Sequence, residues 1–249
     1  MDTTAILCET CGYALGGLPR TAACPECGRP AVDSLPERRV GSPWQRRPGL
    51  RSLLVTHWVT LRRPRPTMGL IRVDGRGAWS LLTANALIAG ALVVFPLAGV
   101  LVGDPIRSAR LDPQRSPWLT TLWAAPLEVV GVAAVLAALT GLERAGISAV
   151  ARRRGWRLSP AAAWQVCAHA SVGWIVAALL LWAGLLAWFN VSLLGLASGP
   201  QRRLPFLYPE ALPALGFLAG LVVFESLVYV GMRRCRFANR PDGADRAPA

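Results

Sequence analysis

Residues Trp79 to Val102 read WSLLTANALIAGALVVFPLAGVLV, 24 positions without a charge. A helix rises about 1.5 Å per residue, and about 20 apolar residues cross a hydrocarbon core about 30 Å thick. The stretch is therefore long enough to span a bilayer, and Pro96 inside it predicts a kink whose freed carbonyl a neighbouring helix can cover. Three further runs of the same kind lie downstream. The second covers Trp118 to Leu142 and carries Pro126 and Glu128, the third covers Trp164 to Phe189, and the fourth covers Ala211 to Met232 and carries Glu225. From Leu158 to Gln201 the chain is uncharged apart from His169. That run is long for one helix and leaves hardly any turn for two, so Asn190 to Pro200 is expected as an interfacial segment outside the third span.

Composition agrees with lipid as the solvent. Apolar residues make up 53% of the chain and charged residues 16%, against about 25% charged in ordinary globular domains. All 27 basic residues are arginine. So complete a bias fits a GC-rich coding sequence, and individual arginines are not read as phosphate or carboxylate clamps. The net charge of +13 suits an anionic membrane surface or a nucleic acid, and its placement favours the membrane. With four spans, 22 arginines fall on one side and 5 on the other. The positive-inside rule then puts both termini in the cytoplasm and the chain in the cytoplasmic (inner) membrane. Trp79, Trp118, Trp123, Trp156, Trp164 and Trp188 all lie near expected interfaces, where indole rings concentrate. The opening residues MDTTAILCETCGYALGG lack a basic segment followed by an apolar one, so no cleaved signal peptide is expected.

Ahead of the spans, residues 1–33 hold Cys8-Glu-Thr-Cys11-Gly-Tyr and Cys24-Pro-Glu-Cys27-Gly. Two such knuckles aim backbone N–H groups at four thiolates, and the glycine after each second cysteine permits the tight turn. Four sulfurs make a closed tetrahedral site with no open position for catalysis, so the expected cofactor is a structural Zn2+ held by Cys8, Cys11, Cys24 and Cys27. Iron is the less favoured alternative, because CxxCGY and CPxCG also resemble rubredoxin knuckles. The module has few apolar residues, so the metal is expected to supply much of its stability. It carries Asp2, Glu9, Glu26 and Asp33 against Arg20 and Arg29, which disfavours a phosphate-tracking surface and hence nucleic acid as a partner. Cys167 and Cys235 are read as packing residues.

Residues 34–48, SLPERRVGSPWQRRP, read as a proline- and arginine-rich linker. In GLRSLLVTHWVTL, residues 49–61, Leu50, Leu53, Leu54, Trp58 and Leu61 recur on one helical face. That helix is too short to span. It either lies in the cytoplasmic interface or packs on the protein's own surface. The expected architecture is thus an all-α membrane protein: a zinc ribbon (1–33), a linker with an interfacial amphipathic helix (34–78), a four-helix transmembrane domain (79–232) and a disordered cytoplasmic tail (233–249).

CETCGYALGGLP followed by CPECG resembles the zinc ribbons that open many uncharacterised bacterial multi-pass membrane proteins. HWVTLRRPRPTMGLIRV, followed by apolar helices, is similar to the segment before the first span in bacterial Yip-family proteins. The first likeness implies metal binding. The second implies a membrane-organising role, and that family typically has five spans where four are counted here.

Glu128, His169 and Glu225 are the ionisable side chains well inside expected spans. Charge is costly at that depth, so each should face the bundle interior, be neutral or find a partner. Glu225 and His169 fall at similar depth, which makes a contact between them the sharpest site expectation. Structural hydrogen bonding across helices is the competing role. Gly216 and Gly220 form a GxxxG pointing away from Glu225, a second packing face. No Ser-His-acid ordering, HExxH, Walker loop or glycine-rich phosphate motif is present, so no enzyme class is expected. The favoured role is a zinc-ribbon adaptor or scaffold for a cytoplasmic protein partner. A small transporter or channel component using Glu128, His169 and Glu225 is the alternative, and membrane-tethered nucleic-acid binding ranks third.

Overall fold

The computed structural model describes residues 6–102, 117–193 and 211–239. Among them the regular elements are all helical: α1 Pro43–Arg46, α2 Leu50–Arg62, α3 Pro64–Leu70, α4 Ala78–Val102, α5 Pro117–Arg153, α6 Pro160–Ala170, α7 Val172–Leu193 and α8 Leu212–Cys235. Four stretches are long and apolar enough to cross a bilayer, namely Ala78–Phe95, Ala124–Arg153, Pro160–Asn190 and Leu212–Cys235. Leu127, Val135, Leu142, Leu186, Leu218 and Val222 are exposed along them, a surface that water would penalise and lipid solvates.

The spans differ from expectation at their ends. The second helix runs on to Arg153 because charge marks where hydrocarbon stops and leaves the backbone helical. Arg144, in the added turns, lies 4.8 Å over the Trp164 ring, a cation–π contact. The third span opens at Pro160, where the Ser159 hydroxyl caps the Ala162 N–H and proline fills the first helical position. Its helix is interrupted at Ser171, the C-cap of α6, whose hydroxyl bonds back to the Ala168 carbonyl. Asn190 to Leu193 complete α7, and the remainder of the segment expected at the interface, 194–200, lies outside the described residues.

The chain divides into two compact units. The first comprises Met1–Leu82, Leu139–Val172 and Glu225–Ala249, and the second Thr83–Ala138 and Gly173–Phe224. In the second unit small residues let helices approach closely. A Cβ added at Gly216 would lie 2.2 Å from the Leu180 carbonyl oxygen, and one at Gly220 would lie 2.1 Å from the Ala177 Cα. The GxxxG of α8 therefore packs against the backbone of α7, as its spacing implies. Trp174 stacks on Phe224 beside this crossing, with centroids 4.5 Å apart. Replacing Gly220 with leucine should destabilise the detergent-solubilised protein by about 3 kcal/mol or more, since a backbone cannot yield as a side chain can. Gly131→Leu, with nothing within 4 Å of its Cβ position, should leave thermal unfolding nearly unchanged.

In the first unit the stretch expected as a linker is a packed element. Ser42-Pro43-Trp44-Gln45 is a reciprocal capping box: the Gln45 N–H donates to the Ser42 hydroxyl and the Ser42 N–H to the Gln45 side chain. Trp44 is buried, its backbone N–H donating to Thr56 on α2. Helix α2 packs inward through Leu53, Thr56 and Thr60 and leaves Leu50 and Trp58 75% and 61% exposed. Leu54 and Leu61 share that outward side. The helix therefore packs on the protein through a mixed face and leaves an apolar face uncovered. A spin label on Leu54→Cys in liposomes should be more accessible to oxygen than to a water-soluble nickel chelate, and the reverse ratio would contradict a lipid-facing side.

Candidate metal centre

The two knuckles are built alike. Gly12 N–H donates to Cys8 O and Gly28 N–H to Cys24 O, at 2.8 and 2.9 Å, while Cys8 N–H and Cys24 N–H bond to the carbonyls of Tyr13 and Arg29. Gly12 and Gly28 take φ of +87° and +70°, the left-handed region that a side chain disfavours. Isolated antiparallel bridges, Leu7 with Ala14 and Ala23 with Pro30, close the hairpins. Cys8, Leu15, Cys24 and Ala31 form a small core with Ile6, Cys11 and Leu18 against it.

The four sulfurs lie within 4.8 Å of one another. Cys8 Sγ is 3.5 Å from Cys27 Sγ, and Cys11 Sγ is 3.6 Å from Cys24 Sγ. A tetrahedral ion with metal–sulfur bonds of about 2.3 Å requires sulfur separations of about 3.8 Å, so the cluster fits a tetrathiolate metal ion. All six cysteines are free. Burial opposes ionisation of Cys8, but the backbone N–H groups of Cys11 and Thr10 outweigh it and bring that thiol down to about 7. Burial foremost pushes the Cys11 thiol up. One knuckle sulfur is thereby prepared as the thiolate a cation binds. Cys167 and Cys235 are fully buried and stand apart from the cluster.

The module is fastened to the rest of its unit through residues the sequence did not single out. Arg39, with 3% of its side chain exposed, grips Glu9 of the first knuckle with both prongs, at 2.8 and 2.9 Å. It also donates to the carbonyls of Ile71, at the end of α3, and Arg234, at the end of α8. Asn239 donates to the Leu7 and Ser34 carbonyls, each at 2.7 Å, and accepts from the Leu7 N–H. The Phe237 ring fills the space beside Gly12 where a Cβ would sit, and Arg236 donates to the Thr10 carbonyl. Residues 236–239, expected as the start of a disordered tail, are thus seated on the module, and 240–249 lie outside the described residues. A short acid inside a CxxC and an asparagine after the last span are the available signals, and neither names its partner.

The polar residues expected within the membrane have different surroundings. His169 is buried, its Nδ1 2.8 Å from the Gln165 carbonyl and its Nε2 2.9 Å from the Ser42 hydroxyl. A carbonyl only accepts, so Nδ1 carries the hydrogen and the Ser42 O–H donates to Nε2. Both ring nitrogens are therefore engaged, and Ser42 occupies the place the sequence gave to Glu225. Glu225 is exposed on α8 and within electrostatic reach of Glu143 on α5. Glu128, on α5 in the second unit, is exposed and has no ion pair among the described residues. His169 thus links α6 to the capping box through both ring nitrogens. No protein-family model matches the chain, and no curated protein or solved structure matches it.

Proposed function

We propose that this chain is a multi-pass protein of the cytoplasmic membrane whose four-cysteine module binds Zn2+ structurally and serves as a rigid cytoplasmic platform for a protein partner. The observation that carries this reading is the Arg39 hub. One buried guanidinium joins the first knuckle to the ends of α3 and α8, so the module is held in a fixed pose and not on a loose tether. Tyr13 and Val32 on the module and Val40 beside it are exposed apolar side chains, the type of contact a protein partner buries. A closed four-sulfur site leaves the metal no position for substrate, which favours a structural over a catalytic ion. Zinc is favoured over iron because the connection between the two knuckles is short, and an arginine balance that favours the reducing cytoplasmic side argues against paired disulfides.

The test compares proteins crosslinked in native membranes to the intact chain, to Cys24→Ser and to Tyr13→Glu. The reading expects at least one partner held by the intact chain to be lost from both variants, with Tyr13→Glu still retaining its metal. Identical partner sets for all three would overturn it.

A further inference from the structure

The first unit contains a cavity of about 400 Å3 that the metal centre does not use. Five arginines line it, drawn from three distant parts of the chain: Arg29 beside the second knuckle, Arg65 on α3, and Arg233, Arg234 and Arg236 at the end of α8. Two acids also reach the lining, Glu9 and Asp33. Each is already matched by an arginine outside it, Glu9 by the buried Arg39 at 2.8 Å and Asp33 by Arg38 at 3.1 Å. The lining thus carries five guanidinium groups against two carboxylates that are both already ion-paired. Arg233 is turned onto the Tyr229 ring and hydroxyl, and Arg236 holds the Thr10 carbonyl. Arg29, Arg65 and Arg234 make no ion pair among the described residues.

Arginines that only anchor a membrane protein would spread along the interface, each solvated separately. Here they converge on the rim and walls of one open concavity, and its volume of about 400 Å3 lies within the range of about 300–1,000 Å3 typical of small-ligand pockets. Guanidinium forks match the paired oxygens of a phosphate group, which a point-charge ammonium does not. We infer that this cavity binds a phosphate-bearing anion, held by Arg65 and Arg234 from opposite elements and by Arg29 from the metal module. Tyr229, Val230, Arg233 and Arg234 belong to the last turns of a membrane span, so the cavity sits at headgroup level. The phosphate of an anionic lipid headgroup and that of a soluble ester share this chemistry. Basic pockets at such a level take up anionic headgroups. Helix α8 ends against the cavity, but its Arg234 carbonyl is capped by Arg39, which removes one acceptor that would repel an anion.

The experiment uses the full chain with its metal, as the intact protein and as Arg65→Gln, Arg234→Gln and a control, Arg154→Gln, whose exposed side chain lies over Trp156 away from the cavity. One arm titrates phosphatidylglycerol against phosphatidylcholine in mixed micelles and reads bound lipid by native mass spectrometry. The other titrates glycerol phosphate and inorganic phosphate into lipid-free micelles. The inference expects phosphatidylglycerol to bind at least tenfold more tightly than phosphatidylcholine. Each cavity variant should lower that affinity tenfold or more, with Arg154→Gln unchanged and metal content equal throughout. The same variant pattern with glycerol phosphate alone would support the site and assign a soluble ligand. Equal weakening by all three variants, or no preference for a phosphate anion in either arm, would overturn it.

Discussion

Cys24→Ser should empty the metal site and melt the N-terminal module while the spans remain helical. Three sulfurs cannot close a tetrahedral site, and the core that remains is four small or medium side chains, two of them cysteines. Metal binding contributes about 10–16 kcal/mol in small zinc domains, far more than such a core can replace. The loss should spread along the contacts described above. Asn239 bonds to Leu7 and Ser34, and Phe237 rests on Gly12, so amide exchange should accelerate at 236–239 as well as at 6–31. Circular dichroism should change little, because the helices lie outside the module. Metal removal by a chelator should reproduce the pattern, and protection that persisted at 6–31 without metal would show that the fold does not depend on it.

Arg39→Met should be the most damaging single change outside the cysteines. Removing one member of a buried ion pair costs about 3–5 kcal/mol, because the remaining carboxylate is left uncompensated. Glu9 would lose both prongs, and the Ile71 and Arg234 carbonyls would each lose a donor. Adding Glu9→Gln should recover part of the loss, since the stranded charge is then gone. The measurement is chemical denaturation in detergent followed through module proteolysis. If the single variant behaves like the parent, the module is not held by this hub.

Much of the architecture is legible in the sequence because its causes are local. Lipid forbids charge, so uncharged runs such as Trp79 to Val102 declare themselves, and CxxCG fixes each knuckle through glycines one residue past the second cysteine. Gly216 and Gly220 likewise disclose a close helix crossing by spacing alone. Long-range pairings are not legible. His169 faces Ser42, 127 positions away, in a stretch whose proline and arginine content reads as linker. The capping box Ser42-Pro43-Trp44-Gln45 was the available sign that this stretch is structured. The end of α5 at Arg153 is not legible because Glu143 and Arg144 mark the edge of the hydrocarbon, not of the helix. A uniform use of arginine also hides which guanidinium groups matter. Only the fold separates Arg39, buried on Glu9, from the five that gather around the cavity and from those spread elsewhere on the surface.

The central claim is a closed four-thiolate zinc site fastened to the ends of α3 and α8, and X-ray absorption at the zinc edge of the purified full chain tests it most directly. The account predicts one zinc per chain with four sulfur neighbours at about 2.3 Å. Nitrogen or oxygen neighbours, or protein that retains iron in place of zinc, would contradict it.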